Sequence, residues 1–394
     1  MQAIHGVHFR DIQSNSIALL KNARVLFIMF DGATDVAVCE NEIVYAHVVD
    51  EKAPRNVFVS IVNIENAHAE GVLAGIVYGM ESVDEKGWHW KEKLIAMGSD
   101  GASVNLGKRN SVTKHLKDQI PHLVAMHCVS HRLELGALDA MKAKDAKVFL
   151  DLISVLLNLH KHYHYSPKAL RELQLLAEAM EEKMIKPVNL QGTRWMPHLS
   201  SSLEVLLKQY CTFVAHFENT VEGKIGTVDV QSRAKNIPKH LKSYDLLHYM
   251  HFLKDVLSVL SELSLKFQED RSGLPEALEA LETACLQLVA QKQRPGEKLQ
   301  KFIDAIDDNG KFLGVQLSKP TLTPDRLKER QNSLIDLVID HINKRMGDID
   351  SGNILKDMQV FYPVNLPEME QEITVFGESE VTTLCEYYAP VLNR

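Results

Sequence analysis

The spacing of apolar and polar positions changes once along the chain, near Lys142. From Ala23 to about Ala140, short apolar runs alternate with polar turns and amphipathic stretches. RVLFIMFD reads as a buried strand, and EIVYAHVV and NVFVSIVNI read as two more, rich in Val, Ile, Phe and Tyr. The turns between them are short, which favours antiparallel neighbours, so these three predict a meander. A helix is predicted over AHAEGVLAGIVYGMESV, ending near Gly87. Next come a strand, KLIAMGSD, a helix, SVTKHLKDQI, stopped by Pro121, a short strand, HLVAMHC, and a further helix, HRLELGALDAM.

The predicted order is β-β-β-α-β-α-β-α. Three antiparallel strands followed by parallel additions is the order of the ribonuclease H fold. Beyond Lys142 the strands give way to long stretches with apolar residues at three- and four-residue spacing, among them VFLDLISVLLNLHKHYH, LLHYMHFLKDVLSVLSELSLKFQ and DRLKERQNSLIDLVIDHINKRM. Breaks are expected at Pro167, Pro187 to Pro197, Gly223 to Pro238, Ser272 to Pro275 and Pro295 to Pro324. The fold class is thus α/β, a ribonuclease-H-like mixed sheet with a large all-α insertion domain. Its expected limits are 23–142 for the core, 143–355 for the helical insertion and 356–394 for a loop-rich tail, with the C-terminal helix of the core missing.

Composition narrows the function classes. The 394 residues are 45% hydrophobic and 24% charged, with net charge -8. Residues 1–140 hold 13 Lys and Arg against 17 Asp and Glu, so bulk attraction to phosphate is not advertised. Five scattered cysteines fit free thiols in a reducing compartment, which predicts an intracellular protein. Apolar runs fall short of the roughly 20 residues a membrane helix needs, so no membrane partner is expected. The start, MQAIHGVHFRDIQ, lacks the features of a secretory signal.

Two acidic residues carry the candidate chemistry. Asp31 closes the first apolar strand, Asp100 closes the fourth, and a glycine follows each. In this fold those strands lie side by side, so both carboxylates would meet where Mg2+ or Mn2+ ions could activate water and stabilise a leaving oxygen. The plainer reading is that both Asp-Gly pairs are strand-ending turns. A proofreading exonuclease would need Asp-x-Glu on the first strand, where this chain has Asp31-Gly32-Ala33. Actin-like phosphate loops would stand much farther apart than these.

Further runs follow in order: H127-C128-V129-S130-H131-R132-L133 after the fifth strand, and G192-T193-R194-W195 after the first long helices. Together with D31-G32-A33-T34-D35 and S99-D100-G101-A102-S103, they resemble the hAT transposase superfamily, the hobo and Activator group. The closer likeness is to its domesticated vertebrate branch, often found in zinc-finger-associated proteins. The resemblance implies descent from a cut-and-paste DNA transposase with a two-Asp, one-Glu metal site, and a nuclear location. Asp31 and Asp100 match the first two acids, and Cys128 and His131 match neighbours of the active site. Trp195, preceded by Arg194, matches a tryptophan thought to stack on an extruded base, which an aromatic face suits chemically.

Each residue also has a structural reading. Cys128 and His131 lack a partner pair with metal spacing, so no zinc is expected. Trp195 at a helix start serves equally as a packing anchor. His160, His162 and His164 alternate along a predicted helix and are expected not to share a face. Lys108 and Arg109, with Lys114, His115 and Lys117, form the local basic cluster near Asp100, suited to phosphate or to a solvated helix face.

The pattern departs from the family at the third acid, a Glu followed by Arg in a C-terminal helix. Glu368, Glu370, Glu372, Glu378, Glu380 and Glu386 do not stand in such a run, Ala33 replaces a Trp common in active members, and an N-terminal zinc finger is missing. The expectation is an inactive transposase remnant, with weak or no Mg2+ or Mn2+, acting through DNA or protein partners. The alternatives are a metal nuclease completed by another chain or an unusual Glu, and a helical interaction scaffold. With the family's dimerisation segment missing, no oligomeric state is predicted.

Overall fold

The computed structural model describes residues 16–393 apart from 36–37, 51–52, 84–87, 144–145, 191–193, 225, 270–272, 348–352 and 369–374. Gly192 and Thr193 of the Thr-Arg-Trp run therefore lie outside the described residues, as do Glu370 and Glu372. The chain divides into two compact units. One runs up to Arg132 and adds 268–275 and 346–394; the other holds 133–267 and 276–345.

The first unit is built on a five-stranded mixed sheet in the order β3-β2-β1-β4-β5. Its strands are β1 (Leu26–Thr34), β2 (Glu40–Asp50), β3 (Ala53–Ile64), β4 (Leu94–Ser99) and β5 (Val124–His127). β1 pairs antiparallel with β2, and β2 with β3, while β4 joins β1 and β5 joins β4 in parallel. This is the meander with parallel additions expected from the alternation of Val, Ile and Phe. One face of the sheet presents Leu26, Ile28, Phe30, Val44, Ala46 and Val48, all buried. Against it lies α1 (Ala69–Glu81), whose Val72, Ile76 and Met80 recur at helical spacing on one stripe. Full burial of each such side chain stabilises by about 1.5–3 kcal/mol. The helix comes close because Gly75 faces β3: a Cβ there would stand 2.7 Å from Ile64 Cγ2. The α2 helix (Val112–Gln119) starts where the Ser111 side chain accepts from the Lys114 N–H at 3.1 Å, and it stops before Pro121.

In the second unit, α3 (Tyr244–Lys266) has buried residues all round, so apolar periodicity gives way to near-continuous burial. Its two buried charged groups are paired. Lys254 Nζ meets Ser200 Oγ at 2.9 Å and Glu204 Oε2 at 3.0 Å. The Asp255 carboxylate accepts from the Lys298 and Leu299 N–H groups, each at 2.9 Å, and so caps helix α4 (Glu297–Asp304) from a different element. Gly296 precedes that helix, and a Cβ there would fall on the Asp255 carboxyl.

Four expectations are corrected. Residues 228–241 form a helix across the predicted Gly223 to Pro238 break, with Pro238 tolerated inside it, and α4 occupies part of the predicted Pro295 to Pro324 break. A two-residue hairpin, Lys311–Phe312 with Val315–Gln316, places strands beyond Lys142. The tail is not loop-rich: Asn353–Asp357, Met358–Phe361, Pro363–Asn365, Glu378–Tyr387 and Ala389–Leu392 are helical turns and helices, and a helix therefore does close the first unit. Its Tyr388 ring lies 6.3 Å from the His122 ring, so tertiary contact supports a sequence whose local pattern looked irregular.

Candidate functional site

The site lies where the parallel pairing of β1 and β4 ends. Met29 pairs with Gly98 in the parallel register, and Asp31 and Asp100 each stand two residues further along. Asp100 follows Ser99, the last residue of β4, as expected. Asp31 does not close its strand: β1 continues to Thr34, because residues 31–34 keep pairing with residues 40–43 of β2. Asp31 is exposed and Asp100 half-buried. Asp100 Oδ1 accepts from Asn105 Nδ2 at 2.8 Å and from the Ala102 N–H at 3.1 Å, which fixes the turn after the strand.

A third carboxylate, on the opposite and buried face of the sheet but within electrostatic reach of this pair, was missed. Glu42, opposite Gly32 on β2, is 2% exposed, and its Oε1 has no hydrogen-bond partner. Its Oε2 lies 3.3 Å from where a Gly32 Cβ would stand, so the absent side chain leaves it room. Burial, then the charges of Asp31 and of Asp100, push the Glu42 carboxyl from 4.5 up to about 8. The sequence held a signal: period-two alternation puts Glu42 on the buried face with Val44, Ala46 and Val48. As the side chains stand, no three His, Cys, Asp or Glu groups among the described residues converge to hold a metal ion.

The other predicted residues divide between the units. Cys128 is exposed with a free thiol, and its N–H donates to Ser99 O at 2.8 Å, tying the end of β5 to that of β4. The His131 ring is 5.3 Å from that of His127. Lys108 and Arg109 are exposed and line an open cavity of about 640 Å3 with His68, Glu70, Ser103 and Asn110. Trp195 and Arg194 belong to the helical unit. Trp195 is half-buried and its Nε1 donates to Glu134 O at 3.0 Å, the behaviour of a packing anchor. The exposed Arg194 acts electrostatically on Glu134, whose carboxyl burial raises and Arg194 partly restores.

The histidine run is corrected. His160 and His164 do share a helix face, stacking at 4.9 Å, because residues four apart return to the same side. His162 points the other way, 2% exposed, packed on Tyr163 and Phe217 with neither ring nitrogen partnered.

No family model matches the sequence. No helix among the described residues is long and apolar enough to cross a membrane.

Proposed function

We propose that this chain is a transposase-derived protein of the hAT type, with a ribonuclease-H-like α/β unit, that acts in the nucleus by binding nucleic acid and does not itself transfer strands. The single observation that carries this reading is that Asp31 and Asp100 stand at matched register positions of adjacent parallel strands, each two residues beyond the Met29–Gly98 pair. A chance pair of Asp-Gly turns would have no reason to fall at matched positions of neighbouring strands. The cavity edged by the exposed Lys108 and Arg109 lies in the same unit and offers two cations to a phosphate backbone.

The third family acid is not matched in the tail. Glu378 and Glu386 are exposed and Glu380 half-buried on the closing helix, and none is followed by Arg. Phosphoryl transfer demands a fixed metal geometry, so two matched acids support binding better than cleavage.

Electrophoretic mobility shift of single-stranded and duplex DNA tests the reading. A complex that weakens steeply with salt and is lost in a Lys108→Glu, Arg109→Glu double variant is the expected result. Absence of any complex at low salt refutes nucleic-acid binding. Metal-dependent cleavage that vanishes in Asp31→Asn and Asp100→Asn refutes the non-cleaving role.

A further inference from the structure

We propose that a cavity within the helical unit takes a nucleobase carrying a phosphate, the ring seated among apolar side chains and the phosphate held by Arg294 and Lys328. The inference is independent of the reading of Asp31 and Asp100, which belong to the other unit.

The cavity has about 370 Å3 of room, within the usual size of small-molecule sites, and all its lining residues fall between Tyr244 and Gln331. Three stretches build it. The start of α3 supplies Tyr244 and His248, whose rings stack on each other at 5.8 Å. The end of the helix Leu274–Gln293 and the turn into α4 supply Gln291, Arg294 and Pro295, and α4 adds Leu299 and Ile303. The start of the helix Pro324–Gly347, with the segment before it, completes the lining with Leu322, Leu327, Lys328 and Gln331. Pro295, Pro320 and Pro324 fix the backbone where the chain turns around this space, so its walls are preformed.

Three features together select the ligand. The first is charge: Lys292, Arg294 and Lys328 line the cavity and no described Asp or Glu does, in a chain of net charge -8. Lys292 is engaged by Asp336, whereas Arg294 and Lys328 are exposed and enter no ion pair among the described residues, which leaves them for an anion. The second is a pair of unsatisfied amide groups. Gln291 Oε1 and Gln331 Nε2 are buried without hydrogen-bond partners, one an acceptor and the other a donor. Both residues are half-buried, so rotation of each amide presents its group to a ligand. The edge of a nucleobase carries donors and acceptors in one plane and pairs with such amides. The third is the apolar lining of Pro295, Leu299, Ile303, Leu322 and Leu327 beside the Tyr244 ring, which suits a flat aromatic body. An aliphatic acid would leave both amides unsatisfied, and a sugar phosphate would press its hydroxyls against leucine and proline.

The experiment is calorimetric titration of the full chain with AMP, adenosine and inorganic phosphate in turn, with circular dichroism as the check on folding. AMP is expected to bind more tightly than either fragment. An Arg294→Ala, Lys328→Ala double variant weakens AMP about 10-fold, as the loss of two exposed charge contacts does, and leaves adenosine unchanged. Ile303→Trp, at an exposed position, fills the cavity and abolishes binding of both. A short single-stranded oligodeoxyadenylate with a terminal phosphate, titrated into the Lys108→Glu, Arg109→Glu background, separates the two sources of this chemistry: binding tighter than AMP assigns the cavity to a base of a strand, and weaker binding assigns it to a free nucleotide. The proposal is overturned if the folded chain takes up no AMP at about 10 mM, tenfold beyond the weak end of ordinary small-molecule sites. It is equally overturned if inorganic phosphate binds as tightly as AMP, or if Ile303→Trp leaves AMP binding unchanged.

Discussion

Glu42→Gln measured against pH is the most direct test of how the buried Glu42 carboxyl is held. The carboxyl is pushed from 4.5 to about 8, first by burial and then by the charges of Asp31 and Asp100. Between those values the folded protein keeps a proton that the unfolded chain releases. Stability is therefore full below pH 4.5, falls as pH rises, and reaches its floor above about pH 8. At about 1.36 kcal/mol per pH unit the full cost is about 5 kcal/mol. The exposed Asp31 contributes through solvent, and screening reduces the total to about 2–3 kcal/mol. For a unit of this size that is a rise in melting temperature of about 5–10 °C for Glu42→Gln at pH 8, with little difference at pH 4.5. Thermal melting by circular dichroism across that range reads the effect. Parallel pH profiles for the two proteins would show that Glu42 does not hold a proton in the fold, and the burial argument would fail with it.

Three further outcomes are expected. Asp255→Ala removes the acceptor of two N–H groups at the start of α4 and costs about 1–3 kcal/mol in urea unfolding, and Gly296→Ala destabilises by crowding the same carboxyl. His162 is lowered to about 4 by burial, then by His216 and Arg233, so its contribution is complete above pH 6.5 and is lost as pH falls toward 4. His162→Leu flattens that acid limb of the unfolding curve and stabilises at neutral pH by about 1 kcal/mol, since no ring nitrogen loses a partner. Trp195→Phe keeps an aromatic face but loses the indole N–H and its bond to Glu134 O, for about 1 kcal/mol. It should leave DNA affinity unchanged if packing is its role; a large loss of affinity with normal melting would assign Trp195 to base contact instead.

How much of this was legible depends on how local the cause is. The strands of the first unit follow from runs such as LFIMF, whose alternate residues have one buried face, and the helices follow from caps such as Ser111 and stops such as Pro121. Pairing order needed only short turns and the crossovers through helices, so the side-by-side placement of β1 and β4 could be read from sequence. The end of β1 could not, because pairing with residues 40–43 carries it past the Asp-Gly that reads locally as a turn.

The residues that sequence alone left in the background are those whose meaning comes from a distant neighbour. Glu42 looks like one polar position among many until Gly32 leaves its carboxylate room and the charges of Asp31 and Asp100 act on it. Asp255 looks like a surface charge on a helix until α4, some forty residues later, presents its free N–H groups. The closing helix around Glu378 carries a weak local pattern and groups with a sheet whose strands all precede residue 128. Periodicity and chain stiffness are properties of neighbouring residues, so the sequence determined the elements and the order of the sheet. Burial and like-charge proximity are properties of assembled space, so only the tertiary structure could show a buried Glu42 carboxyl under the charges of Asp31 and Asp100.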